Sequence, residues 1–369
     1  MRISMLEKRE EFYNILYNTL VEWHPSGTKE DVLLTEFIAN KFLNFIAHPN
    51  LTDQIFSNLV AEYGTSTSLW KNLLQKAYVN LAVSQTFRKK FSHKSISLPY
   101  RFHDKLILGG NHRLRIFNSG LQSSTVILKK GEAVEFIENE IQLKRAFDLT
   151  YAPTLIKAGS NWLEEEYVKG LPLNRIKYVA GKQDFIKKLI ALHFEQLLIP
   201  AKVQLNVQEY RYWKNEKLQQ KLQNPQLKIS SEIRNQLEET FDFVSKRLQY
   251  ELVDLSWSHG DFQEGNVLVD GDHFKVIDWE AAEKRFWLYD IFVLIGDLRA
   301  HGDVKEALNR FENFVSRDQN RFEMPIDWQQ LLLIEELLYA VYEDCSPNFY
   351  QSGVKAARVC DQIKALLDI

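Results

Sequence analysis

A short β-hairpin is predicted inside a half of the chain whose hydrophobic spacing is otherwise helical. The segment NVLVDGDHFKVID has two apolar runs around a glycine-containing turn, Asp270-Gly271-Asp272, which is the pattern of a hairpin. Apolar residues recur at helical spacing on both sides of it, as at Leu237, Phe241 and Val244 and again across residues 328–342. The C-terminal part is therefore predicted to be helical with one small β island.

The spacing of apolar residues also changes from helical to strand-like near residue 105. The runs LILGG, HRLRIFN and STVILKKG indicate three short strands, a helical pattern follows, and NWLEEEYV indicates a further strand. Before Pro99 the apolar spacing is helical, for example at Trp70, Leu73 and Leu74. We therefore predict an α+β protein with a helical extension at 1–98, a β-rich lobe at 99–170 and a helical lobe at 171–369.

Composition and charge exclude several classes of protein. The net charge of −3 gives no overall basic field for nucleic acid. Residues 116–128, the longest stretch without a charged residue, are too few and too polar to span a bilayer, and charges near the N-terminus argue against a signal peptide. Cys345 and Cys360 are too few for a disulfide framework. We expect a soluble, cytoplasmic protein.

The polar residues around the hairpin predict phosphoryl transfer. A hairpin brings the ends of its strands together, so Asn266 before the first strand and Asp278 after the second are expected side by side. Amide and carboxylate oxygens suit Mg²⁺ that bridges phosphate groups. Asp261, in the preceding loop, can accept or orient the proton of an attacking hydroxyl. For His259 a structural role in holding this loop is favoured.

A lysine in the β-rich part is predicted to bind the nucleotide phosphates, with a glutamate as its partner. Lys129 ends the apolar strand VILK, where an ammonium group can lie over phosphates. Glu140 shares one helix face with apolar residues, among them Phe136 and Leu143, and so needs a cationic partner. Lys129 is predicted to be that partner.

The turn Gly109-Gly110-Asn111 lies between the first two of these strands. Its backbone can cover phosphate groups, and its position upstream of Lys129 favours that interpretation over a plain turn. The chain contains no G-x-x-x-x-G-K-[ST] motif, which disfavours a P-loop ATPase.

These residues together resemble the aminoglycoside phosphotransferase and choline kinase superfamily, the small-molecule relatives of protein kinases. The resemblance runs from about Leu106 to Asp297 and rests on GGNHRLRIF, VILK, NEIQLKRAF, EEYVKGLPL, HGDFQEGNVLVD, VIDWE and RFWLYDIF. It implies a protein-kinase-like two-lobed fold with a small β-rich N-lobe and a large helical C-lobe.

The resemblance implies a role for each matched residue. Asp261 would be the catalytic base, and Asn266 and Asp278 the Mg²⁺ ligands. Lys129 would contact the nucleotide phosphates, with Glu140 as its anchor.

Further roles follow from the same resemblance. Glu166, Tyr167 and Val168 resemble the hinge whose backbone receives adenine. Glu280 would bind metal or substrate, and Asp290 resembles a structural acid that braces the catalytic loop.

One feature separates the chain from protein kinases, and two separate it from other members of this superfamily. Gly260 stands where typical protein kinases have an arginine, so the partner for an activating phosphate is missing. Residues 1–98 match no known element and are interpreted as a dimerisation, substrate or regulatory segment. The glycine turn is short, which leaves His112 and Arg113 as alternative phosphate contacts.

The sequence therefore predicts an ATP- and Mg²⁺-dependent phosphotransferase whose acceptor is a hydroxyl group of a sugar or an aminoglycoside-like compound. A choline or ethanolamine kinase, a protein Ser/Thr kinase and a nucleotide-binding pseudokinase scaffold stay as alternatives. The expected partner is a small molecule, with homo-oligomerisation through the N-terminal helices as a further possibility. The sequence does not choose between ATP and GTP.

Overall fold

The structure is a computed structural model. It describes residues 14, 16–23, 33–57, 60, 69–110, 112–120, 122–176, 181–224, 227, 229–318, 322, 324–344 and 353–367. Asn111, which belongs to the predicted glycine turn, and Cys345 lie outside these residues.

The chain forms two compact units. The first comprises residues 1–182 together with 264–280, and the second comprises residues 183–263 together with 281–369. The predicted hairpin therefore belongs to the first unit although it lies far along the chain. The three-part division at residues 98 and 170 stays a prediction, because these units divide the chain at other points.

The described residues of the first unit form a large antiparallel sheet, a smaller one and two longer helices. Its strands are β1 (Leu34–Asn40), β2 (Phe45–Ala47), β3 (Lys94–Pro99), β4 (Lys105–Gly109), β5 (Arg113–Asn118), β6 (Ser123–Leu128), β7 (Leu155–Ala158), β8 (Trp162–Glu166) and β9 (Leu171–Pro172), with β12 (Val267–Asp270) and β13 (His273–Val276) from the hairpin. Its helices are α1 (Leu69–Val83) and α2 (Glu135–Ala146), and residues 16–22 are also helical.

The large sheet extends into the segment that was predicted to be a helical extension. Its strand order is β3-β1-β2-β4-β5-β6-β8-β7, so three strands come from residues 34–99. The helical prediction is wrong for these strands. Neighbouring residues of β2 enter different cores, Ile46 one and Phe45 and Ala47 another, which is the two-residue alternation of a strand buried on both faces.

The two faces of this sheet carry separate apolar cores. On one face Ile46, Ile107 and Ile127 pack with Leu16 and Leu20 of the helical residues 16–22. On the other face α1 packs against β2 and β4, and α2 packs against β6 and β8. The N-terminal segment is therefore part of the core of the first unit.

The buried face of α1 is not the apolar stripe that contains Leu73 and Leu74. Val79, Ala82 and Val83 are buried, whereas Leu73 and Leu74 are 60% and 69% exposed. The apolar spacing correctly predicts a helix here, but two overlapping apolar stripes leave the choice of face to the neighbouring strands.

The second unit is mainly helical around a small sheet with the order β10-β11-β14. Its strands are β10 (Val203–Asn206), β11 (Leu252–Ser258) and β14 (Glu283–Phe286). Its helices are α3 (Lys182–His193, which begins at the boundary between the units), α4 (Val207–Leu222), α5 (Ser231–Lys246), α6 (Tyr289–Gly296), α7 (Leu298–His301), α8 (Val304–Val315), α9 (Trp328–Asp344) and α10 (Val354–Leu367).

This order of elements confirms the predicted α+β class, with a β-rich part, a helical C-terminal part and helices near the N-terminus. Helix α9 is the centre of the second unit, since most of its residues are buried and it contacts α4, α5, α6 and α10. None of the described helices has the length and apolar character that a membrane span requires.

The N-terminal strands can be tested by truncating one side chain. Phe37 of β1 is fully buried in the sheet core, so Phe37→Ala is expected to lower the free energy of unfolding by about 3–5 kcal/mol. Leu73→Ala, on the exposed side of α1, should change it by less than about 0.5 kcal/mol. Urea unfolding followed by circular dichroism measures both values. Equal stabilities of the two variants would contradict the placement of β1 in the core.

Candidate active site

The hairpin brings Asn266 and Asp278 together in the first unit. Val267 pairs with Val276 at the open end of the hairpin, and the Ile277 amide donates to the Asn266 carbonyl at 2.9 Å. Asp278 follows in the left-handed backbone region at φ 69°, which turns the chain sharply after the strand. Two side chains with oxygen donors therefore leave the same end of one hairpin.

The guanidinium of Arg113 joins three carboxylates in this unit. Its side chain is only 4% exposed and forms ion pairs with Glu140, with Asp278 at 3.0 Å and with Glu280 at 3.4 Å. Burial alone would lower the pKa of Arg113, but the three carboxylates outweigh it and raise that pKa. Arg113 therefore carries a permanent charge beside the two acids of the hairpin end.

Further ion pairs extend from Glu140 across the same side of the sheet. The Lys144 ammonium lies 2.7 Å from Glu140 and also pairs with Glu165, which in turn pairs with Arg115. Burial favours the neutral form of Glu140, yet Lys144 and Arg113 together lower its pKa. The result is an alternating row of charges that runs from Arg115 to the hairpin end.

Glu280 lies in a less favourable environment than Glu140. Burial and the negative charge of Asp278 raise the pKa of Glu280 to about 7, although Arg113 acts in the opposite direction. Two carboxylates that repel each other beside a single shared arginine provide a place where additional positive charge is stabilised.

The structure does not show the predicted pairing of Lys129 with Glu140. Glu140 has Arg113 and Lys144 as its partners, and the Lys129 ammonium donates to the Gly110 carbonyl at 2.6 Å. Burial lowers the pKa of Lys129 to about 8. The prediction chose the lysine that ends the strand VILK, whereas strand pairing brings Arg113 of β5 beside α2 and Lys144 lies one turn further along α2.

The glycine turn is supported by its neighbours. A side chain at Gly110 would approach the Arg113 carbonyl to 2.8 Å, so this position requires glycine, and the Asn44 amide donates to the Gly109 carbonyl. His112, just after the turn, is buried, stacks on Phe136 and bonds Glu132 at 2.9 Å.

The predicted hinge begins at the end of β8. The Glu166 amide donates to the Thr154 carbonyl at 2.9 Å, and the Glu166 carboxylate pairs with Lys275 at 3.1 Å. The Tyr167 amide donates to the Gln122 carbonyl at 3.2 Å. Burial raises the pKa of Tyr167 to about 12. Val168 follows, half-buried, in the irregular segment between β8 and β9.

Asp261 lies in the second unit, where its carboxylate is held at both oxygens. Arg299 Nε donates to Oδ1 at 3.1 Å and Gln263 Nε2 to Oδ2 at 2.7 Å. The Asp261 amide donates to Nδ1 of the buried His259 at 3.2 Å, which fixes the adjacent backbone. Burial would raise the pKa of Asp261, but Arg299 and His259 lower it overall. Asp261 is therefore ionised and oriented.

Asp290 at the start of α6 holds the loop that carries Asp261. Its carboxylate accepts from the Ser258 hydroxyl and the His259 amide, each at 2.7 Å, and from the Gly260 amide at 3.0 Å. His193 Nε2 contacts it at 3.0 Å from α3. Burial is outweighed by these partners, which lower the pKa of Asp290. This is the arrangement that a bracing acid needs.

Gly260 is a position where no side chain fits. Its φ is 82°, and a Cβ atom would approach both the Ala281 carbonyl oxygen and the Arg285 guanidinium to 2.5 Å. An arginine at this position, as in protein kinases, would require rearrangement of the loop.

The residues that hold Asp261 from the C-terminal side were not predicted from the sequence. Arg299 of α7 holds Asp261, and its Nη1 atom also donates to both carboxylate oxygens of Glu336, at 2.8 and 2.9 Å. One feature of the sequence could have indicated such a cation: two adjacent acids, Glu335 and Glu336, lie within the apolar run of α9. Buried carboxylates require cations, and the structure supplies Lys214 for Glu335 and Arg299 for Glu336.

A comparison with protein families supports the interpretation of these motifs as those of a phosphotransferase. Residues 162–324 match the sequence profile of the phosphotransferase enzyme family. This stretch contains Asp261, Asn266, Asp278 and Asp290. No curated protein matches the chain at a significant level.

Solved structures with a similar fold have low sequence identity to this chain. A thermostable mutant of aminoglycoside phosphotransferase APH(4)-Ia is 14% identical, with a TM-score of 0.48 over 71% of this chain and 94% of that one. Choline kinase from Cryptosporidium parvum Iowa II is 13% identical, with a TM-score of 0.48 over 72% and 90%. A choline/ethanolamine kinase family protein from Mesorhizobium loti is 12% identical, with a TM-score of 0.45 over 80% and 95%.

The family match confirms the predicted resemblance to the small-molecule phosphotransferases. It also confirms the prediction of a phosphotransferase enzyme.

The bracing role of Asp290 leads to a pH-dependent prediction. Because its native pKa lies below the ordinary aspartate value of about 4, the ionised carboxylate contributes stability that is complete above about pH 4 and is lost as the pH falls. Asp290→Asn removes that charge. We expect its unfolding free energy to lie about 2–4 kcal/mol below wild type at pH 7 and the difference to shrink below pH 4.

Urea unfolding at a series of pH values measures this difference. Asp242→Asn, in an exposed pair on α5, is the matched control and should show a small difference at every pH. A deficit for Asp290→Asn that stays constant from pH 7 to pH 3 would contradict the role of the charge.

Proposed function

We propose that the chain transfers the γ-phosphoryl group of ATP to a hydroxyl group of a small molecule, in a Mg²⁺-dependent reaction. The observation that carries this proposal is the placement of Asn266 and Asp278 at one end of a hairpin that follows the His259-Gly260-Asp261 loop. An amide oxygen and a carboxylate beside a bound triphosphate are the donors that phosphoryl-transfer enzymes use for Mg²⁺.

The donor set at the hairpin end fits Mg²⁺. Asp278 is 47% exposed on its side chain and has Glu280 as an acidic neighbour. Within the described parts of the chain no three His, Cys, Asp or Glu side chains gather into a closed metal cage. Mg²⁺ prefers such open sites, since it takes one or two protein carboxylates and completes its octahedron with water and phosphate oxygens. Asn266 and Asp278 would hold the ion, which when bound neutralises charge on the phosphates.

Asp261 is assigned as the residue that receives the acceptor proton. The acceptor oxygen forms a bond to the γ-phosphorus while the bond from that phosphorus to the β–γ bridging oxygen breaks, which releases ADP. The hydroxyl proton passes to the Asp261 carboxylate. Arg299 and Gln263 orient this carboxylate, and its lowered pKa keeps it ionised before the transfer.

Nucleotide binding is assigned to the first unit. Gly109, Gly110 and Lys129 would lie at the phosphates, where the Lys129 bond to the Gly110 carbonyl supports the turn. At the hinge the amides of Glu166 and Tyr167 are engaged with Thr154 and Gln122. We therefore assign the Val168 amide as the donor to adenine.

For the acceptor, a hydroxyl group of a sugar or an aminoglycoside-like compound is proposed first, and choline or ethanolamine second. The net negative charge of residues 171–369 suits a cationic acceptor of either kind. A protein Ser/Thr kinase is disfavoured, because the Gly260 position has no room for the arginine that activating phosphates contact. A cytoplasmic location would supply the ATP.

The role of Asp261 can be tested with one substitution. Asp261→Asn keeps the shape of the side chain but removes its basicity, so phosphoryl transfer is expected to fall by about 10²–10⁴-fold. ATP affinity should stay within about threefold of wild type. Steady-state kinetics and isothermal titration calorimetry give the two values, and undiminished turnover would contradict the assignment.

The metal assignment can be tested separately from the base. Asp278→Asn is expected to abolish the Mg²⁺-dependent increase in ATP affinity, since an amide is a weaker ligand than a carboxylate for a hard cation. Asp272→Asn, in the turn at the other end of the same hairpin, is the matched control and should keep that increase. A pseudokinase scaffold would show nucleotide binding without any Mg²⁺-dependent ATP hydrolysis in the wild-type protein.

The acceptor can be identified by a screen. The protein is incubated with Mg²⁺, ATP and sugars, aminoglycosides, choline or ethanolamine, and ADP release is measured against the Asp261→Asn variant. Release that depends on one of these compounds and on Asp261 supports the proposal. Release with a generic protein substrate alone would favour a protein kinase instead.

A further inference from the structure

We propose that Arg113, and not Lys129, is the principal cation that contacts the nucleotide phosphates. This inference rests on the proposed function, because it concerns the same nucleotide site. Arg113 of β5 would then make the phosphate contact that the motif VILK predicts for Lys129, the residue after β6.

The partners of Glu140 identify the candidate cations. An anchoring glutamate holds one cation in place so that its remaining hydrogen-bond donors face the ligand. Glu140 is only 2% exposed and pairs with Arg113 and Lys144. The cation that the anchor selects is therefore one of these two residues.

Lys144 has only buried partners. Its ammonium lies between Glu140 and Glu165, whose side chains are both buried. Arg113 instead continues past Glu140 to Asp278, whose side chain is 47% exposed. The guanidinium of Arg113 thus lies between the anchor and the accessible hairpin end.

Strand pairing places Arg113 on the correct side of the sheet for this role. Arg113 pairs with Leu128 of β6, and cross-strand partners point to the same face. Leu128 packs in the core beneath α2, so Arg113 shares the face on which Glu140 lies. This position follows from the register of β5 and β6.

The surroundings of Lys129 suit a supporting role. Its ammonium donates to the Gly110 carbonyl at 2.6 Å and so stabilises the glycine turn. Burial lowers the pKa of Lys129 to about 8, so this lysine loses part of its charge in mildly alkaline solution. A guanidinium also offers paired donors that match phosphate oxygens.

The test compares ATP with adenosine in the presence of EDTA, so that no metal at Asp278 contributes. Wild type and the variants Arg113→Met, Lys129→Met and Arg115→Met are titrated with ATP by calorimetry and with adenosine by competition. Arg115 is the matched control, since it lies on the same face of β5 and pairs with Glu165.

Arg113→Met is expected to weaken ATP binding by about tenfold or more, the effect of one charged hydrogen bond, and to leave adenosine binding unchanged. The loss for Lys129→Met should be smaller, and Arg115→Met should keep the wild-type ratio of the two affinities. If Arg113→Met is unfolded by circular dichroism, Arg113→Gln, which keeps a donor for Glu140, is measured in its place with the same expectation.

An unchanged ratio of ATP to adenosine affinity in the Arg113 variant would overturn the inference, as would a larger loss in Lys129→Met. An equal loss in Arg115→Met would also overturn it, because it would show a general effect on the sheet. Failure of wild type to bind either compound would instead reject the nucleotide site and the proposed function.

Discussion

The buried charge of Arg113 is the constraint on which the first unit depends. A guanidinium that is 4% exposed needs carboxylate partners. Two of its partners are distant in sequence: Glu140 lies 27 residues and Asp278 165 residues after Arg113. One ionic interaction therefore connects a sheet strand, the helix above it and the hairpin end. Removing Arg113 would deprive three carboxylates of their shared partner, so the position of Asp278 is coupled to the packing of α2.

In the second unit the buried charge that organises its neighbours is a carboxylate instead of a cation. The Asp290 carboxylate is buried and collects the amides of His259 and Gly260, so the loop next to Asp261 is determined by a helix terminus rather than by its own sequence. Arg299, buried against Glu336, then fixes the Asp261 carboxylate itself. In each unit the residues assigned to chemistry are positioned by charges that water does not screen.

The sequence was sufficient where the relevant interactions are local. The hairpin, the helix α2 and the neighbouring placement of Asn266 and Asp278 follow from turn residues and hydrophobic period. It was insufficient where partners are distant. The strands before residue 99 are short and mostly of mixed polarity, so pairing decides their state, and the partner of Glu140 depends on the register between β5 and β6. Arg299 could be inferred only from the unexplained acids in α9.

The order of strands in the large sheet has a consequence for how the protein can be shortened. β4 pairs with β2 on one side and β5 on the other, so removal of the residues before 99 would leave a row of unpaired backbone groups along β4. Such an open edge is a template for strand addition from another molecule. The strands before residue 99 therefore cover an edge that would favour self-association, and a chain shortened to begin after that residue is expected to aggregate.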